Sequence, residues 1–185
     1  MIAQGGATIY GGNVSYHADF QADQPGVNFS TITFNSGLDS EVDQLWALNI
    51  SWLNPLVGAV KLIMRPNGVA LPASSGSQRD GYNATTKLRE DDSFTDLVIA
   101  ELQAGQANTW VMGSIYFSLK ALVPARIMQG RGVQFDKTAT VTNWRVTDRI
   151  GFYNDNTTKL TSLQILTDTG TQAIGFGSRF FLYKI

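Results

Sequence analysis

A chain of 185 residues is one domain's length with room for a sizeable core. Its 14 basic and 15 acidic residues leave a net charge of −1, which provides no electrostatic grip on a polyanion and speaks against nucleic acid as a partner. The absence of cysteine and the single histidine exclude thiol nucleophiles, cysteine-based zinc sites and multi-histidine metal sites.

The first residues, MIAQGGATIYGGN, have neither a basic start nor a continuous apolar run. The expectation is therefore a protein made in a cytoplasm without a secretory leader. No apolar run approaches the ~20 residues of a membrane-spanning helix. Residues 1–26 carry Gly5-Gly6, Gly11-Gly12 and Pro25-Gly26 with isolated anchors between them, a composition that cannot hold a helix or build its own core. This segment reads as an extended arm whose Ile9, Tyr10, Tyr16 and Phe20 are the candidate partner-binding residues. It could lie on a neighbouring subunit, adding a strand to a sheet edge there, or meander over its own domain.

Residues 27–185 are expected to form the globular domain. Ile32 and Phe34 alternate with threonines, and Trp46, Leu48, Ile50 and Trp52 alternate with Leu45, Ala47, Asn49 and Ser51, the period of two of a strand with one buried face. Asn54-Pro55 ends that run. Val60 to Arg65 resumes it, and Pro66-Asn67-Gly68 turns the chain. Pro72 to Tyr82 has the composition of a long loop, with a return strand beginning near Tyr82. Phe94 to Leu102 also satisfies a helical face, but a strand is the reading adopted. Trp110 to Leu119 predicts a long strand, Gly130-Arg131-Gly132 a turn or bulge, and Thr138 to Thr147 a threonine-rich strand. Lys159 to Thr167 and Ala173 to Ile185 are the last two, parted by Asp168-Thr169-Gly170-Thr171. About eight to ten short strands with turns between them and no convincing helix predict an all-β fold, an antiparallel two-sheet sandwich of jelly-roll-like architecture.

Residues capable of chemistry are scattered. His17 sits beside Tyr16 and Asp19 in the arm, with nothing to select a serine for a triad. Asp39, Glu41, Asp43, Glu90, Asp91, Asp92, Asp96 and Glu101 could supply a carboxylate pair for glycoside hydrolysis, but solvated carboxylates are the ordinary reading. Glu90-Asp91-Asp92 lacks the spacing of a calcium loop. Gly130-Arg131-Gly132 has no following helix and cannot cradle a phosphate. Trp46, Trp52, Trp110 and Trp144 suit sugar stacking in principle, yet tryptophans on alternating strands ordinarily belong to a core or a sheet face. The expectation is a non-enzyme with no catalytic residue, no metal and no cofactor.

The closing stretch runs from Gly151-Phe152-Tyr153-Asn154 through Leu160-Thr161-Ser162-Leu163-Gln164-Ile165 to Gly175-Phe176-Gly177-Ser178-Arg179-Phe180-Phe181-Leu182-Tyr183-Lys184-Ile185. It resembles the terminal strands of small β-sandwich virion proteins of tailed bacteriophages, which commonly end in a Gly-Ser-x-Phe-x-Leu-Tyr-Gly-like strand. Here Lys184 stands where glycine is usual. The resemblance extends more loosely to Trp46-Ala47-Leu48 and to Val60 through Arg65. It implies a virion structural module, foremost a capsid-decorating or cement protein bound to the major capsid protein. The alternative it leaves open is a tail-associated receptor- or carbohydrate-binding module. It also implies a homo-oligomer, with a trimer the leading stoichiometry. Light charge and many small polar residues suit a surface given over to protein contacts.

Overall fold

The computed structural model describes residues 15–35, 38, 45–69, 76–82, 87–91, 97–102, 107–118, 126–137, 142–155 and 159–185. Among them are twelve strands: β1 (Ser15–Gln21), β2 (Thr31–Phe34), β3 (Leu45–Asn54), β4 (Val60–Pro66), β5 (Gly76–Tyr82), β6 (Lys87–Asp91), β7 (Leu97–Leu102), β8 (Thr109–Ser118), β9 (Arg126–Lys137), β10 (Thr142–Tyr153), β11 (Leu163–Thr167) and β12 (Arg179–Lys184). They form an eight-stranded sheet, β1-β12-β3-β8-β9-β10-β5-β6, and a four-stranded sheet, β2-β11-β4-β7. Every pairing is antiparallel.

The quartets β1-β12-β3-β8 and β2-β11-β4-β7 are the two halves of a jelly roll, because the chain crosses between sheets at β1/β2, β2/β3, β3/β4, β7/β8 and β11/β12, and again where it enters or leaves the inserted strands at β4/β5, β6/β7 and β10/β11. Two hairpins are inserted into that plan. β5–β6 falls between β4 and β7, β9–β10 between β8 and β11, and both extend the larger sheet. The fold is thus the all-β, jelly-roll-like sandwich that the strand pattern predicts.

Alternation fills the space between the sheets. From β3 come Trp46, Leu48, Ile50 and Trp52, which meet Leu62 and Met64 of β4 and Ile165 of β11 in one core. Burying such side chains contributes roughly 1.5–3 kcal/mol each. Trp52 also needs a polar partner there, and its Nε1 donates to the Ala173 carbonyl at 2.8 Å. The run Leu97–Leu102 is a strand rather than a helix. Its near-continuous burial, apart from Glu101, reflects a position against β10, β5 and β9 as well as β4.

Three expectations differ from the structure. Gly76 to Tyr82, expected within a loop, is β5, a polar strand held by backbone pairing to β10 and β6. Gly130-Arg131-Gly132 is neither turn nor bulge but the middle of β9, where Gly130 lies opposite Ile115 and Gly132 opposite Gly113. A Cβ on Gly130 would collide with Ile115 Cδ1, so glycine here answers to close cross-strand packing. The expected boundary between Gly26 and Val27 cuts through the sandwich, because Ser15–Gln21 is the edge strand β1, paired with β12 of the same chain. Ala22 continues the attachment, donating to Ser178 O at 2.9 Å and accepting from Gly177 N at 2.8 Å.

Candidate functional site

Of the expected partner-binding residues, Ile9 and Tyr10 lie outside the described residues. Tyr16 stands opposite Tyr183 in the β1–β12 register. Phe20 packs against its own sandwich. Its ring meets Phe29 edge-on at 5.1 Å and lies 6.3 Å from Phe180, so it closes the end of the core.

Three of the eight acidic candidates, Glu90, Asp91 and Glu101, are among the described residues. Asp39, Glu41, Asp43, Asp92 and Asp96 lie outside the described residues, and Glu90 and Asp91 belong to β6. Glu101 is engaged with Arg149, a side chain buried on the inner face of β10, whose Nη2 lies 3.4 Å from Glu101 Oε2. Arg149 Nη1 also reaches the Val98 carbonyl at 3.5 Å. This ion pair ties β10 to β7 where the inserted strands wrap over the smaller sheet. Among the described residues no group of three His, Asp or Glu could hold a metal ion. His17 is in β1, at the irregularity between Tyr16 and Ala18 where the β1–β12 register shifts.

Two tryptophans are settled by burial. Trp46 and Trp52 are wholly inside and cannot stack on a ligand, whereas Trp110 is half-buried on the outer face of the larger sheet. That face is where the structure concentrates accessible apolar surface. Leu45, Met112, Tyr116, Ile150 and Phe152 are 45, 48, 47, 61 and 41% exposed. Cross-strand registers set Tyr183, Ala47, Tyr116, Gln129 and Ile150 in one row, and Arg179, Ser51, Met112, Val133 and Val146 in another.

Between them runs a polar row of Phe181, Asn49, Ser114, Arg131 and Asp148. Its polar members engage one another. Ser114 Oγ donates to Asn49 Oδ1 at 2.7 Å. Arg131 Nε and Nη2 donate to Asp148 Oδ1 and Oδ2 at 2.6 and 2.9 Å, the two-pronged geometry that strengthens an arginine–carboxylate pair. The hydrogen bond from Arg131, aided by its charge, holds the Asp148 carboxyl below the ordinary aspartate value of 3.8 against the opposing effect of partial burial.

The sequence did carry a signal for this face: in β8 both parities are apolar, Val111, Ile115 and Phe117 inward and Trp110, Met112 and Tyr116 outward. A strand with one face in water ordinarily alternates apolar with polar.

The motif that carries the phage resemblance acquires a physical reading. Gly177 adopts a φ of 91° and packs beneath the Trp110 ring, where a Cβ would lie 3.4 Å from Cη2. Ser178 is fully buried, and its Oγ accepts from Leu53 N at 3.0 Å. Phe180 and Leu182 then point into the core, while Lys184 lies opposite Trp46 at the strand's end. The chain matches no family model, no curated protein and no solved structure.

Proposed function

We propose that this chain is a non-enzymatic structural component of a tailed-phage virion, a decoration or cement protein that binds the major capsid protein and acts as a homo-oligomer. The observation that carries the reading is the placement of the Gly177–Lys184 motif. The strand on which the resemblance rests is β12, seated between β1 and β3 in the larger sheet, so the motif closes a jelly roll. The exposed apolar face of that same sheet supports a role in protein contact. Mass spectrometry of purified particles tests the proposal: the protein is expected in virions at a stoichiometric level, and its absence overturns the assignment.

The carbohydrate-binding alternative draws on Trp110 and Tyr116, aromatic side chains accessible on one sheet face. It expects the isolated protein to bind host envelope glycans and to lose that binding in Trp110→Ala and Tyr116→Ala.

A further inference from the structure

We infer that the outer face of β12, β3, β8, β9 and β10 packs against the same face of a second copy of this chain. The inference concerns self-association alone and does not depend on a place in a virion.

Three observations select this occupant. The first is area. The five exposed apolar residues on the face leave on the order of 500 Å² open, near the upper end of what a monomer's largest apolar patch presents. Two copies face to face would remove on the order of 1,000 Å² from these residues alone, about the minimum that a biological interface must clear. The half-buried Trp110, Val133, Val146, Phe181 and Tyr183 add to it.

The second is composition. An interface core is depleted in charge, most of all in homodimers, and the three rows contain an arginine–aspartate pair at the centre with Arg179 at one end. The opposite side of the molecule differs. The outer face of the smaller sheet leaves Thr31 and Thr33 of β2, Lys61 and Arg65 of β4 and Gln164 of β11 accessible, while its apolar members are covered by the same chain, Ile63 and Val98 fully and Leu166 by half.

The third is charge symmetry. Arg131 and Asp148 are adjacent and oppositely charged. A two-fold axis near them brings each arginine toward the other copy's aspartate, the self-complementary arrangement of an isologous contact. Two sheets meeting this way pack like the layers of a sandwich, about 10 Å apart. The contact joins copies in pairs, so it specifies an even number of subunits and not the trimer that the resemblance implies.

Sedimentation velocity of the purified full chain across the micromolar range tests the inference without any particle or ligand. A dimer, or a multiple of dimers, is expected. Ile150→Lys and Tyr116→Lys place like charges face to face across the axis and are expected to yield monomers at the same concentrations, with an unchanged β circular-dichroism spectrum. Should either variant fail to fold, the exchange pair decides. Arg131→Asp alone is expected to weaken the dimer at least tenfold, and Arg131→Asp with Asp148→Arg to restore it. A wild type monomeric at every concentration assigns the face to another occupant and overturns the inference, as does a trimer or a dimer insensitive to all these substitutions. Neither result bears on whether the protein is found in virions.

Discussion

Asn67 shows how much one side chain can organise in this fold. Its φ of 54° lies in the left-handed region, which asparagine tolerates better than most residues, and it turns β4 back with Gly68 beside it. The same side chain accepts from Thr161 N at 2.8 Å and Ser162 N at 3.2 Å, and its Nδ2 donates to Lys159 O at 2.8 Å. It therefore pins the approach to β11 as well as its own turn. Asn67→Ala removes these bonds and places a less tolerant residue in the left-handed region; the expected loss is about 1–2 kcal/mol, measured by urea denaturation. Asp148 supports a second expectation at this scale. Its carboxyl is held below the ordinary value in the folded state, so the Arg131 contact stabilises the fold above the unfolded aspartate pKa, and the contribution is lost as pH falls through the folded value. Both groups are part-exposed, so the effect on stability is small. Carboxyl-carbon NMR titration is expected to show the Asp148 pKa rising in Arg131→Gln.

Elements reveal where a chain's pattern speaks and where it is silent. β3 was legible because Trp46, Leu48, Ile50 and Trp52 repeat with period two, and a sheet with one face on the core demands that repeat. β5 was not. Gly76-Ser77-Gln78-Arg79-Asp80 has no apolar alternation, and the strand exists because β10 and β6 offer backbone partners on either side. The glycines of β9 punctuate the sequence like a turn, yet they answer to neighbours on β8 that are distant in the chain. β1 gave a third difficulty, since its glycine-rich surroundings resemble an arm while Phe20 and the β12 pairing make it part of the sheet. Deleting residues 1–26 is therefore expected to lower the unfolding midpoint or abolish cooperative folding, where a dispensable arm would leave circular dichroism and Tm unchanged. The seam between β7 and β10 yields another test. Glu101→Ala leaves the buried Arg149 without its carboxylate and is expected to destabilise by about 3–5 kcal/mol in chemical denaturation. Arg149→Met combined with Glu101→Leu removes both charges and should recover most of that loss.

At the scale of the whole molecule the two sheets are unequal in size and in surface. The larger carries both inserted hairpins and turns outward exposed apolar side chains on either side of a polar row, while the smaller leaves threonine, lysine, arginine and glutamine accessible and keeps Ile63 and Val98 covered. That the chain would make a two-layer sandwich followed from strand count and turn spacing. The strand order did not, because β12 beside β1 and Arg149 beside Glu101 are pairings between distant segments that leave no local mark in composition. The outer face was half-legible: Trp110, Met112 and Tyr116 stand in β8 with the parity that should meet water, but only the registers with β9 and β10 gather Ile150 and Asp148 next to them.

The seat of β12 between β1 and β3 also dictates an order of events during synthesis. β1 and β3 leave the ribosome well before β12, and each keeps an open edge until β12 has emerged. Until then the larger sheet is two separate pieces, with bare hydrogen-bonding edges of the kind that recruit other chains. Nascent chains ending before Arg179 are expected to be cut readily by protease and to aggregate when released. Extension by the few residues through Ile185 should confer resistance in a single step, observable by pulse proteolysis of arrested chains; protection before β12 is made would show that the sheet closes some other way.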